Sequence, residues 1–303
     1  MSPLPSFEPR QVLFVVDLDG TLLRSDRRFN PQDLDALQSL RRLGVSTAVA
    51  TGRSLLAFHK ALIAAERETL PLDAVVVSNG AAIFEVAGND ATMPTAWSLV
   101  EQHGFDDDQR DHILQRLLET GRNFALHQAV PENHRFHYHR GDEASDFLLR
   151  LRLHQDRCQA LDWQHLPSAP SQFLMVLPSE LAQSFAEDLA RSLAPLELSM
   201  LRSTSPFDAR FTWLELYPPQ VDKGQACRRW GARCGRPVLV AVGNDYNDLH
   251  MLEAAALGLV VANAAPELRA RFESVPSNDE GGVAQAAQSV RELIRKREGI
   301  PKG

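Results

Sequence analysis

Cysteine is scarce. Cys158, Cys227 and Cys234 are the only three in 303 residues, and no C-x-x-C pair occurs among them. An odd, low count makes a poor disulfide framework and offers zinc no thiolate pair. Three reduced thiols are expected, with Cys227 and Cys234 packing on one helix. Long hydrophobic runs are missing as well. No stretch approaches the roughly 18 apolar residues of a membrane span. The opening MSPLPSFEPRQ lacks a basic segment followed by an apolar one, so a cytoplasmic protein without membrane contact is expected. An excess of positive charge is also absent. The formal net charge of −7 is the wrong sign for a chain that wraps nucleic acid. It does not exclude a small anionic partner, because a metal and a few cations can dominate one pocket.

What is present is an ordinary globular composition, 44% hydrophobic and 23% charged. The length suits two domains at roughly 100–200 residues each. Residues 1–10 carry three prolines and read as a loose tail. VLFVVDLDG (12–20) is an apolar run ending in acids and glycine, the pattern of a strand buried on both faces of a parallel sheet. Residues 30–44 have helical spacing, with Leu34, Leu37, Leu40 and Leu43 on one face and Gly44 closing the segment. A strand (45–53), a helix (55–66) and a third strand (74–81) follow. After residue 223 the alternation resumes: helices over 223–235, 247–256, 265–272 and 283–298, and strands over 238–245 and 257–263. The β-α-β-α-β order predicts an α/β fold with a doubly wound, mostly parallel, Rossmann-like sheet.

The middle of the chain lacks this rhythm. Residues 147–154, 173–179 and 211–218 read as strands, and 107–121 and 179–193 as amphipathic helices. The expected organisation is an α/β core over 1–83 and 208–303, interrupted by an α+β domain over 84–207.

Four expected strands end in polar turns: Asp17-Leu18-Asp19-Gly20-Thr21, Thr51-Gly52-Arg53, Ser78-Asn79-Gly80 and Gly243-Asn244-Asp245-Tyr246-Asn247-Asp248. Ligands of open α/β sheets bind outside the carboxyl ends of the strands. If these strands are parallel neighbours, the four turns meet at one edge. Asp17 and Asp19 at the end of an apolar strand repel one another unless a cation compensates, and hard oxygen donors select magnesium or calcium. A calcium loop does not fit, since Leu22 stands where that loop needs Gly and Arg28 where it needs Glu. Each of the other turns, taken alone, is also compatible with plain scaffolding: Thr51 as a helix N-cap, Lys223 as a solvated helix start, Asn79 and Asn263 as turn residues.

Taken in order, DLDGTLL, ATGR, SNGA, the lone lysine of VDKGQA and GNDYNDLHML resemble the motifs of the haloacid dehalogenase superfamily of phosphatases. More narrowly they resemble its Cof-type branch, in which an α+β cap is inserted in the core. The resemblance implies a magnesium-dependent phosphatase acting on a small phosphorylated metabolite, a sugar phosphate first and a phosphorylated cofactor or nucleotide second. It implies Asp17 as nucleophile and metal ligand, and Asp19 as general acid/base with its backbone carbonyl on the metal. Lys223 would sit between Asp17 and the phosphate. Thr51, Gly52, Arg53, Asn79 and Asn263 would lie around the phosphoryl group, with Arg53 equally suited to a scaffold ion pair. A monomer or homodimer is expected.

One position departs from the family pattern. Its last motif usually reads Gly-Asp-x-x-Asn-Asp, with the first Asp on the metal; here that place is Asn244, followed by Asp245. Either residue could ligate Mg²⁺, with Asp248 supporting the site, and a lower metal affinity is expected. A phosphomutase, a non-catalytic sensor of phosphorylated ligands and a partner-binding protein acting through its insert are the rival readings. The insert's histidines, His127, His134, His137 and His139, sit in or near HRFHYHR (134–140). They lack companions at zinc-binding spacing and are expected to line a strand.

Overall fold

The computed structural model describes residues 8–65, 70–86 and 97–298. Most of the expected tail, and Glu66 at the end of the expected second helix, lie outside the described residues. By its internal contacts the chain divides into two units, one of residues 1–53, 57–101 and 223–303, the other of residues 54–56 and 102–222.

The first unit opens with β1 (Val12–Asp17), α1 (Pro31–Arg42), β2 (Ser46–Ala50), α2 (Leu55–Ala64) and β3 (Ala74–Val77). Val12 to Val16 are each 0% exposed, as a strand covered on both faces must be. Burying each such side chain stabilises the fold by roughly 1.5–3 kcal/mol. Asn30 caps α1 by accepting from the Gln32 amide at 3.0 Å. Gly44, in the left-handed region at φ 89°, closes the helix as its sequence suggested. β4 (Ala82–Val86) then turns back antiparallel on β3 and β5 (Trp97–Gln102) extends the same sheet.

The second unit holds α3 (Asp107–Glu119), β6 (Phe124–His127), β7 (Phe136–His139), α4 (Ser145–Leu153), β8 (Cys158–Ala160), β9 (Gln172–Pro178), α5 (Ser179–Ser192), β10 (Ser199–Thr204) and β11 (Phe211–Tyr217). Its sheet runs β10-β11-β9-β6-β7-β8 among the described residues. Phe124, Leu126, Phe173, Met175, Leu214 and Leu216 pack with Ile113, Leu117 and Leu189 of α3 and α5. Alternate residues Ala125, Phe136, Leu174 and Val176 pack with Phe147 of α4. The boundaries fall later than residues 84 and 207, because β4 and β5 pair onto the first sheet and β11 onto β9.

One expectation fails here. Residues 147–154, whose leucines and arginines alternate like a strand, form most of α4. Phe147 and Arg150, three apart on one helical face, are both buried. The Arg150 guanidinium lies 5.1 Å from the Phe136 ring centre and 4.7 Å from that of Trp213. It donates to His127 Nε2 at 3.2 Å, and His127 Nδ1 donates to the Asn133 carbonyl at 2.7 Å. Burial, then the Arg150 charge, pull His127 down to about 3. It is a neutral structural residue. His139 stacks on Phe124 with ring centres 5.1 Å apart, and Gln128 and Gln159 bond His137.

The chain returns to the first unit with α6 (Lys223–Arg233), β12 (Val238–Gly243), α7 (Leu249–Ala254), β13 (Leu257–Val261), α8 (Pro266–Arg271), β14 (Glu273–Val275) and α9 (Gly282–Glu298). The sheet order is β14-β13-β12-β1-β2-β3-β4-β5, and β14 through β3 are parallel. The carboxyl ends of β12, β1, β2 and β3 therefore lie side by side. None of the cysteines is in a disulfide. Among the described residues no helix is long and apolar enough to cross a membrane.

Asp33, in the first turn of α1, is buried and accepts from the Ala284 amide at the start of α9 at 2.7 Å. Its other carboxylate oxygen has no partner among the described residues. Burial raises its pKa from 3.8 to about 6, against the Ala284 hydrogen bond. The folded state thus holds this proton more tightly than the unfolded chain, and the contribution present below pH 4 is lost as pH rises through 6. The rise from 3.8 to about 6 corresponds to at most about 3 kcal/mol. Urea unfolding of parent and Asp33→Asn at pH 4 and pH 7 should show the variant gaining relative stability at pH 7. An equal difference at both pH values would contradict this.

Candidate active site

Asp17 ends β1, where the apolar run stops and the next residues leave the sheet. Its register partner is Ala50, one residue before Thr51. The carboxylate is 5% exposed at the residue level. Lys223, the first residue of α6, is 0% exposed, and its ammonium donates to Asp17 Oδ1 and Asp248 Oδ1, each at 2.7 Å. A charged lysine is almost never this deeply buried unless it is paired. Burial pulls its pKa down, but the charges of Asp17 and Asp248 outweigh that and leave it raised. Two carboxylates share one ammonium, so the trio carries a surplus negative charge whenever Asp17 is ionised. Burial, then the Asp248 charge, push Asp17 up to about 7 despite Lys223.

Asp248 also ties down its own turn. Its Oδ2 accepts from the amides of Asn244 at 2.8 Å and Asp245 at 3.1 Å. Gly243 makes room for it, since a Cβ there would sit 2.7 Å from the Asp248 carboxylate. Asp245 turns its side chain to the Tyr246 amide at 2.8 Å, capping the turn it starts. Asn244 does the reaching. The tip of its amide lies 3.1 Å from Thr21 Oγ1, Asp17 Oδ2 and the Asp19 backbone oxygen. Of the two candidates for the departing position, the geometry brings Asn244 to the aspartates.

Asp19 is held by a bidentate arginine. Arg53 Nε donates to Oδ2 at 2.7 Å and Nη2 to Oδ1 at 2.6 Å. Thr51 is 1% exposed, and its hydroxyl oxygen accepts from the Arg53 amide at 3.1 Å. Its hydroxyl proton is left to donate. Gly52 packs close under Asn79, for a Cβ there would lie 3.2 Å from the Asn79 side-chain oxygen. Asn79 is buried with φ 55°, next to Ser78 at 49° and Gly80 at 104°. Ser78 and Asn79, two successive non-glycine residues in the left-handed region, store strain of the kind found at functional sites, while Gly80 adopts its angle freely. Asn79 Oδ1 accepts from Asn247 Nδ2 at 3.0 Å. Asn263, expected beside the phosphate, lies against the turn that carries Asp17 and Asp19: it donates to the Gly20 carbonyl at 2.8 Å and accepts from the Asn278 amide at 3.0 Å. It joins three loops.

Thr21 and Asn247 were not singled out from the sequence, although both lie inside the quoted motifs. Gly20, at φ 76°, permits a sharp turn. Its lack of a side chain matters equally, since a Cβ would lie 2.7 Å from the Asn244 amide. Among the described residues no cluster of three His, Cys, Asp or Glu side chains is placed to hold a metal. The donors that do converge are mixed: the Asp17 carboxylate, the Asp19 backbone carbonyl and the Asn244 amide. All-oxygen donors around surplus negative charge fit a hard divalent cation such as Mg²⁺.

A family model described as haloacid dehalogenase-like hydrolase matches residues 14–286. A putative phosphatase of Bacillus subtilis (strain 168), YxeH, is 26% identical over 301 residues, covering 93% of this chain and 98% of that protein. The HMP-PP phosphatase of Enterobacter sp. (strain 638) is 25% identical over 267 residues, covering 87% and 89%. Among solved structures, the phosphatase BT1666 from Bacteroides thetaiotaomicron superposes with TM-score 0.71 at 19% identity, over 97% of this chain and 100% of that one. The sugar phosphatase BT4131 does so with TM-score 0.68 at 16% identity, over 93% and 100%. The last two likenesses bear on the fold.

Proposed function

The chain belongs to the haloacid dehalogenase-like hydrolase family, and we propose that it is a magnesium-dependent phosphatase that hydrolyses phosphate monoesters of small molecules through a phospho-Asp17 intermediate. The observation that carries this reading is the Lys223 ammonium held between Asp17 and Asp248 at the edge where four strands end. A buried carboxylate oriented by a buried cation suits an activated nucleophile. The names of relatives, a phosphatase of HMP-PP and a sugar phosphatase, support a small phosphorylated substrate.

An Asp17 oxygen attacks phosphorus while the bond to the leaving oxygen breaks. Asp19 gives that oxygen its proton. Asp19 then takes a proton from water, the water oxygen attacks phosphorus, and the bond to Asp17 breaks to release phosphate and restore the carboxylate. Lys223 holds Asp17 in line and offsets negative charge on the transferring group. The Thr51 hydroxyl and the exposed backbone of Gly52 donate to phosphoryl oxygens. Arg53 fixes the Asp19 side chain and must loosen its grip as Asp19 exchanges protons. Mg²⁺ would be held by Asp17, the Asp19 carbonyl and Asn244, and when bound it would neutralise phosphate charge. Residues 102–222 are the inserted cap domain of the proposed phosphatase. Asn79 and Asn247 brace the phosphate loops.

The test is phosphate release from p-nitrophenyl phosphate and a panel of sugar phosphates, with Mg²⁺ and with chelator. Release that depends on Mg²⁺ and favours sugar phosphates is expected. Phosphoryl transfer to a second sugar without free phosphate would instead establish a mutase.

A further inference from the structure

Asn244 has almost no freedom in its main chain. Its amide donates to Asp248 Oδ2 at 2.8 Å, and its carbonyl accepts from the Ala265 amide at 3.0 Å. What remains is rotation of the side-chain amide, and the two orientations differ chemically. With its oxygen inward, Asn244 accepts from Thr21 Oγ1 at 3.1 Å but sets that oxygen equally close to Asp17 Oδ2 and the Asp19 carbonyl. Oxygens crowded in this way repel unless a cation lies among them. With its nitrogen inward, the same tip donates to Asp17 Oδ2 and the Asp19 carbonyl, each at 3.1 Å. The amide hydrogens then satisfy the two oxygens that a metal would otherwise claim.

Resting on the phosphatase reading above, we propose that Asn244 is a built-in stand-in for the cation: its amide nitrogen occupies the donors of the metal site when the site is empty, so that metal enters efficiently only together with the phosphate of the substrate. An aspartate at this position would behave oppositely. It could donate nothing to Asp17, would add a negative charge to a site already carrying a surplus, and would recruit a divalent cation on its own. The asparagine offers only a neutral oxygen, and only after its hydrogen bonds to Asp17 and Asp19 break. The missing charge is then supplied by the phosphate, which makes metal and phosphate binding mutually reinforcing.

The experiment is equilibrium binding of Mn²⁺ to the full chain, read by electron paramagnetic resonance, with and without inorganic phosphate, for the parent and for Asn244→Asp. The parent should bind Mn²⁺ at least about tenfold more tightly when phosphate is present. The variant should bind Mn²⁺ alone roughly 10–100-fold more tightly than the parent, with a smaller gain from phosphate. The parent comparison needs no variant, so it stands even if Asn244→Asp folds poorly. Equal Mn²⁺ affinities of the parent with and without phosphate would overturn the proposal and leave the phosphatase reading intact. Failure of the folded parent to bind Mn²⁺ even with phosphate would overturn both.

Discussion

Replacing Asp17 by Asn is expected to abolish phosphate release, by on the order of 10³-fold or more, while leaving the protein as stable as before or more so. The two halves of this expectation come from one arrangement. Lys223 stands between two buried carboxylates, and a surplus negative charge is unfavourable at that depth. An asparagine keeps an oxygen for the Lys223 bond and removes the surplus. The fold therefore loses nothing, and the chemistry loses its nucleophile. Steady-state release from p-nitrophenyl phosphate, alongside urea unfolding in the absence of metal, measures both. A variant that is inactive because it is unfolded would contradict the account, as would one that stays active.

Removing the cation should cost both stability and activity. Lys223→Met leaves Asp17 and Asp248 buried face to face, with a hydrophobic chain filling the former lysine channel. Breaking a buried pair by deleting one partner costs roughly 3–5 kcal/mol, because the remaining charge is uncompensated. The variant should lose that much stability and all measurable turnover. Adding Asp248→Asn brings the site back to the parent's surplus of one negative charge. It should recover part of the stability and none of the activity. Denaturant midpoints for the parent, the single and the double variant separate the two effects. Full stability in Lys223→Met would mean that the ion pairs contribute little to holding this edge together.

The core was legible because its signals are local and repeated. An apolar strand followed by acids, by Thr51 or by Gly243 tells where each chain segment leaves the sheet, and parallel order then forces the turns together. Lys223 could be placed only through the resemblance; on its own it reads as a helix start, and its complete burial is a tertiary fact. The same holds for Asn263, whose two polar atoms are committed to loops more than a dozen residues away in sequence. In the insert, the strand reading of residues 147–154 failed because Phe147, Leu149, Leu151 and Leu153 alternate with other side chains at period two. The helix buries Phe147 and Arg150 and leaves Leu153 out, and an arginine as a core residue is invisible to a hydrophobic pattern. β4 and β5 escaped notice because they join the sheet at its antiparallel end, where only Trp97 of β5 is buried. The choice between Asn244 and Asp245 could not be made from sequence, since it depends on which side chain the 243–248 turn points back toward Asp17.

The phospho-Asp17 intermediate is the central claim, and Asp19→Asn with p-nitrophenyl phosphate tests it most directly. Nitrophenolate leaves without needing a proton, so the first step should proceed, while the second lacks the base that activates water. The account predicts a rapid burst of one nitrophenolate per protein chain, followed by slow turnover, with a phosphoryl group on the peptide that carries Asp17. Steady release with no burst and no phosphoryl group at Asp17 would contradict it.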